Sequence, residues 1–93
     1  MTKTVWKKQL KLSDLQDVAA PRGAKLLAFR NQNEEPCIWF LCDPEAPNMI
    51  IGKLRIMGTG HMTDMLDEPG WNFVGTDLFH RGVLVLHAFF QSE

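Results

Sequence analysis

The chain has 93 residues, of which 45% are hydrophobic, and its ten basic and eleven acidic side chains give a formal net charge of −1. A chain of this length forms a single domain, residues 1–93, because a second core needs a considerably longer polypeptide. The hydrophobic content excludes a disordered or fibrous protein. The balanced charge provides no global field toward nucleic acid or an anionic membrane, so neither is an expected partner.

The N-terminal stretch MTKTVWKKQ has no apolar segment after its charges, and no apolar run approaches the length of a membrane span. The two cysteines, Cys37 and Cys42, are separated by an odd number of positions, which directs them to opposite faces of a strand and opposes a disulfide between them. Their spacing matches no zinc motif. These features predict a soluble cytoplasmic protein with buried, reduced thiols.

The first half of the chain is predicted to form strands. Hydrophobic and polar side chains alternate along residues 4–12, with Trp6, Leu10 and Leu12 on the apolar face, which is typical of a half-buried strand. Residues 13–17 permit one short helical turn, and the PRG sequence that follows prevents a longer helix.

Three further strands are predicted next along the chain, at residues 24–32, 37–42 and 49–57. The segment CIWFLC is apolar on both faces and therefore belongs at the centre of a sheet. In residues 49–57, Leu54 and Ile56 share one face and Lys53 and Arg55 the other, so this strand is half-buried.

Residues 62–70 show no alternation and form a long connection, of the kind that often carries function. Residues 71–79 and 83–90 are two more strands, joined by a tight hairpin in which Gly82 can adopt a positive φ. The chain is therefore predicted to be mainly β, with five to six antiparallel strands in a small sandwich or barrel and at most one short helical turn.

The GTGH sequence is the first candidate site, and it consists of Gly58, Thr59, Gly60 and His61. Backbone N–H groups of a glycine-rich turn can bind an anion, and a hydroxyl and an imidazole can add to such a site. Neither of the two common phosphate-binding patterns is present, however. A turn that recruits glycine only for its positive φ is the competing interpretation.

The connection that follows is the second candidate site, because it carries apolar and acidic side chains together without a strand pattern. Its candidate partner-binding residues are Met62, Asp64, Met65, Leu66, Asp67 and Glu68. Flexible Met and Leu side chains beside carboxylates would form an adaptable surface for a protein partner. The same side chains would alternatively close one end of the barrel.

Catalytic chemistry finds little support in the sequence. No Ser, Cys or Thr is accompanied by an evident base, and His87 is expected to be hydrogen-bonded beside the core. No spacing among His61, Asp64 and His87 demands a metal, so neither metal nor cofactor is predicted. The aromatic side chains of Trp39, Phe40, Trp71 and Phe73 lack interleaved basic residues, which favours core packing over base stacking.

Five short motifs together resemble a family of small uncharacterised proteins encoded by bacteriophages and prophages. The motifs are PxGA at residues 21–24, PCxW at 36–39, GTGH at 58–61, FVGT at 73–76 and GxLVxHxF at 82–89. The resemblance covers nearly the whole chain and carries no assigned functional residue. It implies a small protein in the cytoplasm of a bacterial host, where binding of a host protein is the expected activity.

The first functional hypothesis is therefore a non-enzymatic binding module that inhibits or redirects a host protein, such as a component of a bacterial defence system. The alternative is a site at the GTGH sequence that binds or hydrolyses a phosphate-bearing ligand such as a nucleotide signal. The third hypothesis is that the protein is a minor component of the virion. A homodimer is also compatible with exposed strand edges, although lysines on the first strand oppose edge pairing.

Overall fold

Seven β-strands and one 3-10 turn form the fold in residues 2–93, the part of the chain that the computed structural model describes. In chain order the elements are β1 (Thr4–Gln9), β2 (Leu15–Pro21), β3 (Lys25–Gln32), β4 (Glu35–Cys42), β5 (Asn48–Gly58), the 3-10 turn (Met65–Asp67), β6 (Trp71–Phe79) and β7 (Leu84–Ser92). All pairings are antiparallel and produce two sheets, with strand orders β1-β4-β3 and β2-β5-β7-β6. The predicted mainly β architecture is confirmed.

Strand β4 is the central strand of the three-stranded sheet, as its apolar sequence predicted. Its residues Cys37, Ile38, Phe40 and Cys42 are all buried, and both thiols are free. A strand that carries apolar side chains on both faces is stable only where both faces are covered. Its neighbour β1 forms one edge, and Trp6 at this edge remains 42% exposed although the alternation pattern placed it on the apolar face.

The strand β2 is where the sequence prediction was wrong. Residues 13–17 do not form a helical turn, because β2 begins at Leu15 and pairs with β5, so there are seven strands instead of five to six. Pro21 is accommodated because β2 is an edge strand and Pro21 is its last residue, where a missing N–H breaks no ladder. The side chain of Gln16 closes the preceding turn, with its Nε2 donating to the carbonyl oxygen of Lys11 at 2.7 Å.

The hydrophobic core fills the space between the two sheets. Phe29, Ile38 and Leu54 are completely buried there, and each such side chain contributes about 1.5–3 kcal/mol relative to an exposed position. The buried cluster consists of Leu10, Val18, Ala20, Phe29, Ile38, Phe40, Cys42, Leu54, Ile56, Phe79, Leu86 and Ala88. The inward positions of β5 and β7 are therefore even-numbered over residues 54–56 and 86–88, and their odd-numbered side chains lie on the outer face of the four-stranded sheet.

The turn between β6 and β7 contains the positive φ that was predicted for Gly82, with a value of 86°. His80 and Arg81 also have positive φ, of 50° and 57°, which is uncommon for residues with a side chain. Val83 belongs to this turn and is 87% exposed, so β7 begins one residue later than predicted. Within residues 2–93 no helix has the length and apolar character needed to cross a membrane.

Candidate functional site

The candidate site lies on the outer face of the four-stranded sheet, where the odd-numbered side chains of β5 and β7 point away from the core. Arg55 of β5 is directly opposite Phe89 of β7, and Met57 is directly opposite His87. On the far side of β7, His87 is opposite Thr76 of β6, and Phe89 is opposite Phe73. The antiparallel register therefore brings residues from three strands onto one surface.

The connection between β5 and β6, residues 59–70, folds back over this outer face, and we call it the covering loop. It is anchored near its end, where Gln91 Nε2 donates to the carbonyl oxygen of Pro69 at 3.1 Å. In its middle, Arg55 Nη1 donates to the sulfur of Met65 at 3.1 Å. Met65 and Leu66 are half-buried as a result, so they cover the outer face and not an end of the sandwich.

An open pocket of about 250 Å³ lies between the covering loop and the sheet. Its lining residues are Met57, Gly58, Thr59, Gly60, His61, Leu66, His87 and Phe89. The pocket thus unites the whole GTGH sequence with Leu66, one of the predicted partner-binding residues. The side chains of Met57, Leu66 and Phe89 make its interior mainly apolar, which is typical of small-ligand and side-chain pockets.

Four other predicted partner-binding residues lie outside the pocket and are exposed to solvent, namely Met62, Asp64, Asp67 and Glu68. Met62 is 89% exposed. Asp64, Asp67 and Glu68 are also exposed, and no ion pair within residues 2–93 ties them to the sheet. The loop therefore presents one large apolar side chain among solvated carboxylates.

Three side chains form a hydrogen-bonded row beside the pocket. His87 Nε2 lies 2.7 Å from Thr59 Oγ1, and His87 Nδ1 lies 2.8 Å from Thr76 Oγ1. A neutral imidazole donates from one nitrogen and accepts at the other, and a hydroxyl can complete either bond. The prediction of a hydrogen-bonded His87 is confirmed, but no sequence pattern indicates that its partners are Thr59 and Thr76.

This row has part of the geometry of a nucleophile and its base, because a hydroxyl contacts an imidazole whose second nitrogen is also held. The third member is a neutral threonine, which cannot compensate an imidazolium charge as a carboxylate does. The row therefore fixes the orientation of His87 and Thr59, and it provides a polar wall in an otherwise apolar pocket.

The backbone of the GTGH sequence is largely occupied by hydrogen bonds within the chain. The N–H of Thr59 donates to Val85 at 3.3 Å, and the N–H of His61 donates to Gly58 at 3.1 Å. Gly60 has φ of 85°, so glycine is needed there for the conformation of the turn, whereas Gly58 has no positive φ. Two of the donors that an anion-binding turn would use are therefore committed elsewhere.

Arg55 is the functional candidate that the sequence did not reveal. The alternation pattern placed it correctly on the face opposite the core, yet it is only 8% exposed because the covering loop lies over it. Its Nε has no hydrogen-bond partner in residues 2–93, and none of the three ion pairs in this range includes it. Among the same residues, no three His, Cys, Asp or Glu side chains are grouped to hold a metal ion.

The aromatic residues that were considered for base stacking or core packing differ in their burial. Phe40 is buried in the core, whereas Phe73 on the outer face is 61% exposed, so the prediction of core packing is wrong for Phe73. Its ring contacts that of Phe89 edge-on, with centroids 5.6 Å apart. Phe73 therefore extends the apolar surface of the pocket toward β6.

Comparisons with known proteins assign the chain to a family but not to a function. No curated protein and no solved structure matches this chain. One family model matches the chain over residues 1–93. The chain therefore belongs to the family described as Domain of unknown function (DUF7352).

Proposed function

We propose that this protein is a non-enzymatic binding module that inhibits or redirects a host protein, with the covering loop and the adjoining pocket as its contact surface. The observation that carries the proposal is the 89% exposure of Met62 beside a mainly apolar pocket. An unbranched thioether side chain that is held in solvent is well suited to insertion into a partner.

Other exposed apolar side chains on the outer face support a protein partner more than a small metabolite. Phe73 and Leu78 of β6 lie on the same outer face and are 61% and 53% exposed. Exposed apolar side chains that occur together on one face commonly mark an interaction surface. The exposed carboxylates of the covering loop would form its polar rim, as in most protein interfaces.

The proposed setting is the cytoplasm of a bacterium that carries a phage or prophage. The five motifs described above resemble proteins of that origin, and a small β scaffold without a catalytic set is suited to blocking another protein. A component of a bacterial defence system is the partner class that we propose.

The test is affinity capture from a bacterial lysate with the purified protein and two matched variants. Met62→Ser removes the exposed side chain of the covering loop. Met49→Ser is the control, because Met49 is 46% exposed at the opposite end of β5. We expect a partner that is captured by the wild type and by Met49→Ser and is strongly reduced with Met62→Ser. Capture of no protein, or equal capture by all three, would contradict the proposal.

A second candidate function is the binding or hydrolysis of a phosphate-bearing ligand, such as a nucleotide, at the GTGH sequence. The contact between Thr59 Oγ1 and His87 Nε2 favours it, because it places a hydroxyl and an imidazole together on the pocket wall. A panel of nucleotides should then raise the melting temperature of the wild type and not of Thr59→Ala. A flat response of the wild type to the whole panel would exclude this function.

A further inference from the structure

We propose that Arg55 is the anion-binding residue of a ligand site, and that the site takes a carboxylate attached to a short apolar chain. This inference goes beyond the protein-binding function above, because it concerns a small ligand in the pocket and is tested by octanoate binding instead of by capture of a protein. It is based on the burial of Arg55, the hydrogen bonds that it lacks and the apolar pocket that adjoins it.

The burial of Arg55 is the first step. The Arg55 residue is only 8% exposed and its Nε is fully buried, and a buried charge is normally compensated by a carboxylate or by several oxygen acceptors. Within residues 2–93, its hydrogen bond goes to the sulfur of Met65, which is a weak acceptor, and Nε has no partner. Arg55 therefore retains an unused capacity for a strong acceptor.

The position of Arg55 is the second step. It lies directly across from Phe89 and two residues before Met57 on the same face of β5, and both of these residues line the pocket. The turn that contains its partner Met65 also supplies Leu66 to the pocket wall. Arg55 itself does not line the pocket, because Met65 covers it. A ligand in the pocket would reach the guanidinium by displacing the sulfur of Met65, which costs little because that hydrogen bond is weak.

A second unused donor lies on the same face. The indole Nε1 of Trp71 is the other buried side-chain nitrogen or oxygen without a partner in residues 2–93. Trp71 follows the covering loop directly and is opposite Gln91, whose side chain anchors that loop at Pro69. Both unsatisfied groups are donors, so the missing complement is an acceptor.

The chemistry of the surroundings selects the ligand. A planar guanidinium can form two parallel hydrogen bonds to the two oxygens of a carboxylate. The pocket lined by Met57, Leu66 and Phe89 can accommodate an apolar chain. We therefore assign the site to a monocarboxylate.

Octanoate is the probe, and octan-1-ol is the uncharged control of equal chain length. We expect octanoate to raise the melting temperature of the wild type and to bind in calorimetry, whereas octan-1-ol gives a much smaller effect. The absence of octanoate binding, or equal effects of the two compounds, would overturn the proposal.

Arg55→Met tests the residue itself, with Lys53→Met as the matched control. Lys53 lies on the same face of β5, but it is exposed and paired with Asp17 at 2.9 Å, so its replacement removes one positive charge away from the pocket. We expect Arg55→Met to weaken octanoate binding by about tenfold or more, the loss expected for a charged hydrogen bond. Lys53→Met should bind as the wild type does.

The melting temperature without ligand gives an independent measurement. A buried cation without a counterion costs stability, so Arg55→Met should raise the melting temperature by a few degrees while it weakens octanoate binding. If Arg55 instead stabilised the fold, Arg55→Met would lower the melting temperature. Failure of Arg55→Met to fold, or unchanged octanoate binding in this variant, would refute the assignment.

Discussion

The carboxylate of Asp77 in β6 accepts a hydrogen bond of 2.8 Å from the backbone N–H of Asn31 in β3, and this contact joins the edges of the two sheets. Asp77 also accepts from Arg30 Nε at 3.0 Å and from its neighbour Leu78 N–H at 2.8 Å. The side chain of Asn31 completes the link by donating to the carbonyl oxygen of Leu78 at 2.7 Å. An edge that is tied in this way is also protected from pairing with another chain.

The first prediction concerns the stability that Asp77 provides. Asp77→Asn removes the charge from three hydrogen bonds and should lower the free energy of unfolding by about 1–3 kcal/mol, measured by chemical denaturation. Asp17→Asn is the matched control, because the Asp17–Lys53 pair is exposed on both sides and should contribute about 1 kcal/mol or less. Equal losses in the two variants would contradict the special role of Asp77.

The second prediction is the pH dependence of this contribution. Hydrogen bonds from Asn31, Arg30 and Leu78 hold the pKa of Asp77 below its ordinary value of 3.8. A lowered pKa in the folded state means that the stabilisation is fully present above the unfolded value and is lost as the pH falls through the folded value. The difference in unfolding free energy between the wild type and Asp77→Asn should therefore be constant at neutral pH and shrink below about pH 4.

Glu34 contributes to the stability at acidic pH in the same direction as Asp77. Its pKa is lowered from 4.5, chiefly because the backbone N–H of His80 donates to it, and Asn31 adds a side-chain hydrogen bond. Comparing Asp77→Asn with the wild type cancels the contribution of Glu34, which both proteins retain. A difference that does not depend on pH would show that the hydrogen bonds of Asp77 do not require its charge.

The third prediction concerns a close approach of backbone and side chain in β5. A Cβ at Gly52 would lie 2.4 Å from the carbonyl oxygen of Gln91 and 2.5 Å from Phe90 Cζ, whereas a Cβ at Gly58 would meet only Val85 O at 3.9 Å. Gly52→Ala should therefore cost about 1–3 kcal/mol of unfolding free energy through overpacking. Gly58→Ala should be neutral or slightly stabilising, since the glycine there has no positive φ.

The contrast between these two glycines shows what could be predicted from the sequence. The strand β5 followed from its alternation, and β4 was placed at the centre because its apolar run needs cover on both faces. The importance of Gly52 depends on the neighbouring strand β7, forty residues or so away in sequence, and no local pattern reports it. The strand β2 was missed because Pro21 and two small alanines hide its alternation.

The candidate site was predictable only in part for the same reason. The GTGH sequence and the covering loop were recognised from their composition, and the structure brings Thr59, His61 and Leu66 to one pocket. The pairing of Thr59 with His87 and the burial of Arg55 arise from the way the loop folds back over the sheet. Such contacts depend on tertiary packing, which periodicity along a strand does not describe.

The fourth prediction tests the hydrogen-bonded row beside the pocket. His87→Ala removes both bonds to Thr59 and Thr76 and should lower the free energy of unfolding by about 1–2 kcal/mol. Amide hydrogen exchange at Thr59 and Val85 should accelerate as well, because the end of β5 loses its side-chain support. His61→Ala is the control, since His61 is exposed and its replacement should change stability by about 0.5 kcal/mol or less. Equal effects of the two replacements would contradict a structural role that is particular to His87.

The fifth prediction concerns the strain in the turn between β6 and β7. Arg81 has φ of 57° and is exposed, and a side chain at positive φ costs about 1–2 kcal/mol that glycine avoids. Arg81→Gly should therefore raise the free energy of unfolding by about 0.5–1 kcal/mol, after the greater flexibility of glycine in the unfolded chain is subtracted. Arg81→Ala removes the same charge but keeps the Cβ, so it should give no such gain in chemical denaturation. If both variants were equally stable, the charge of Arg81 and not its backbone conformation would determine the effect.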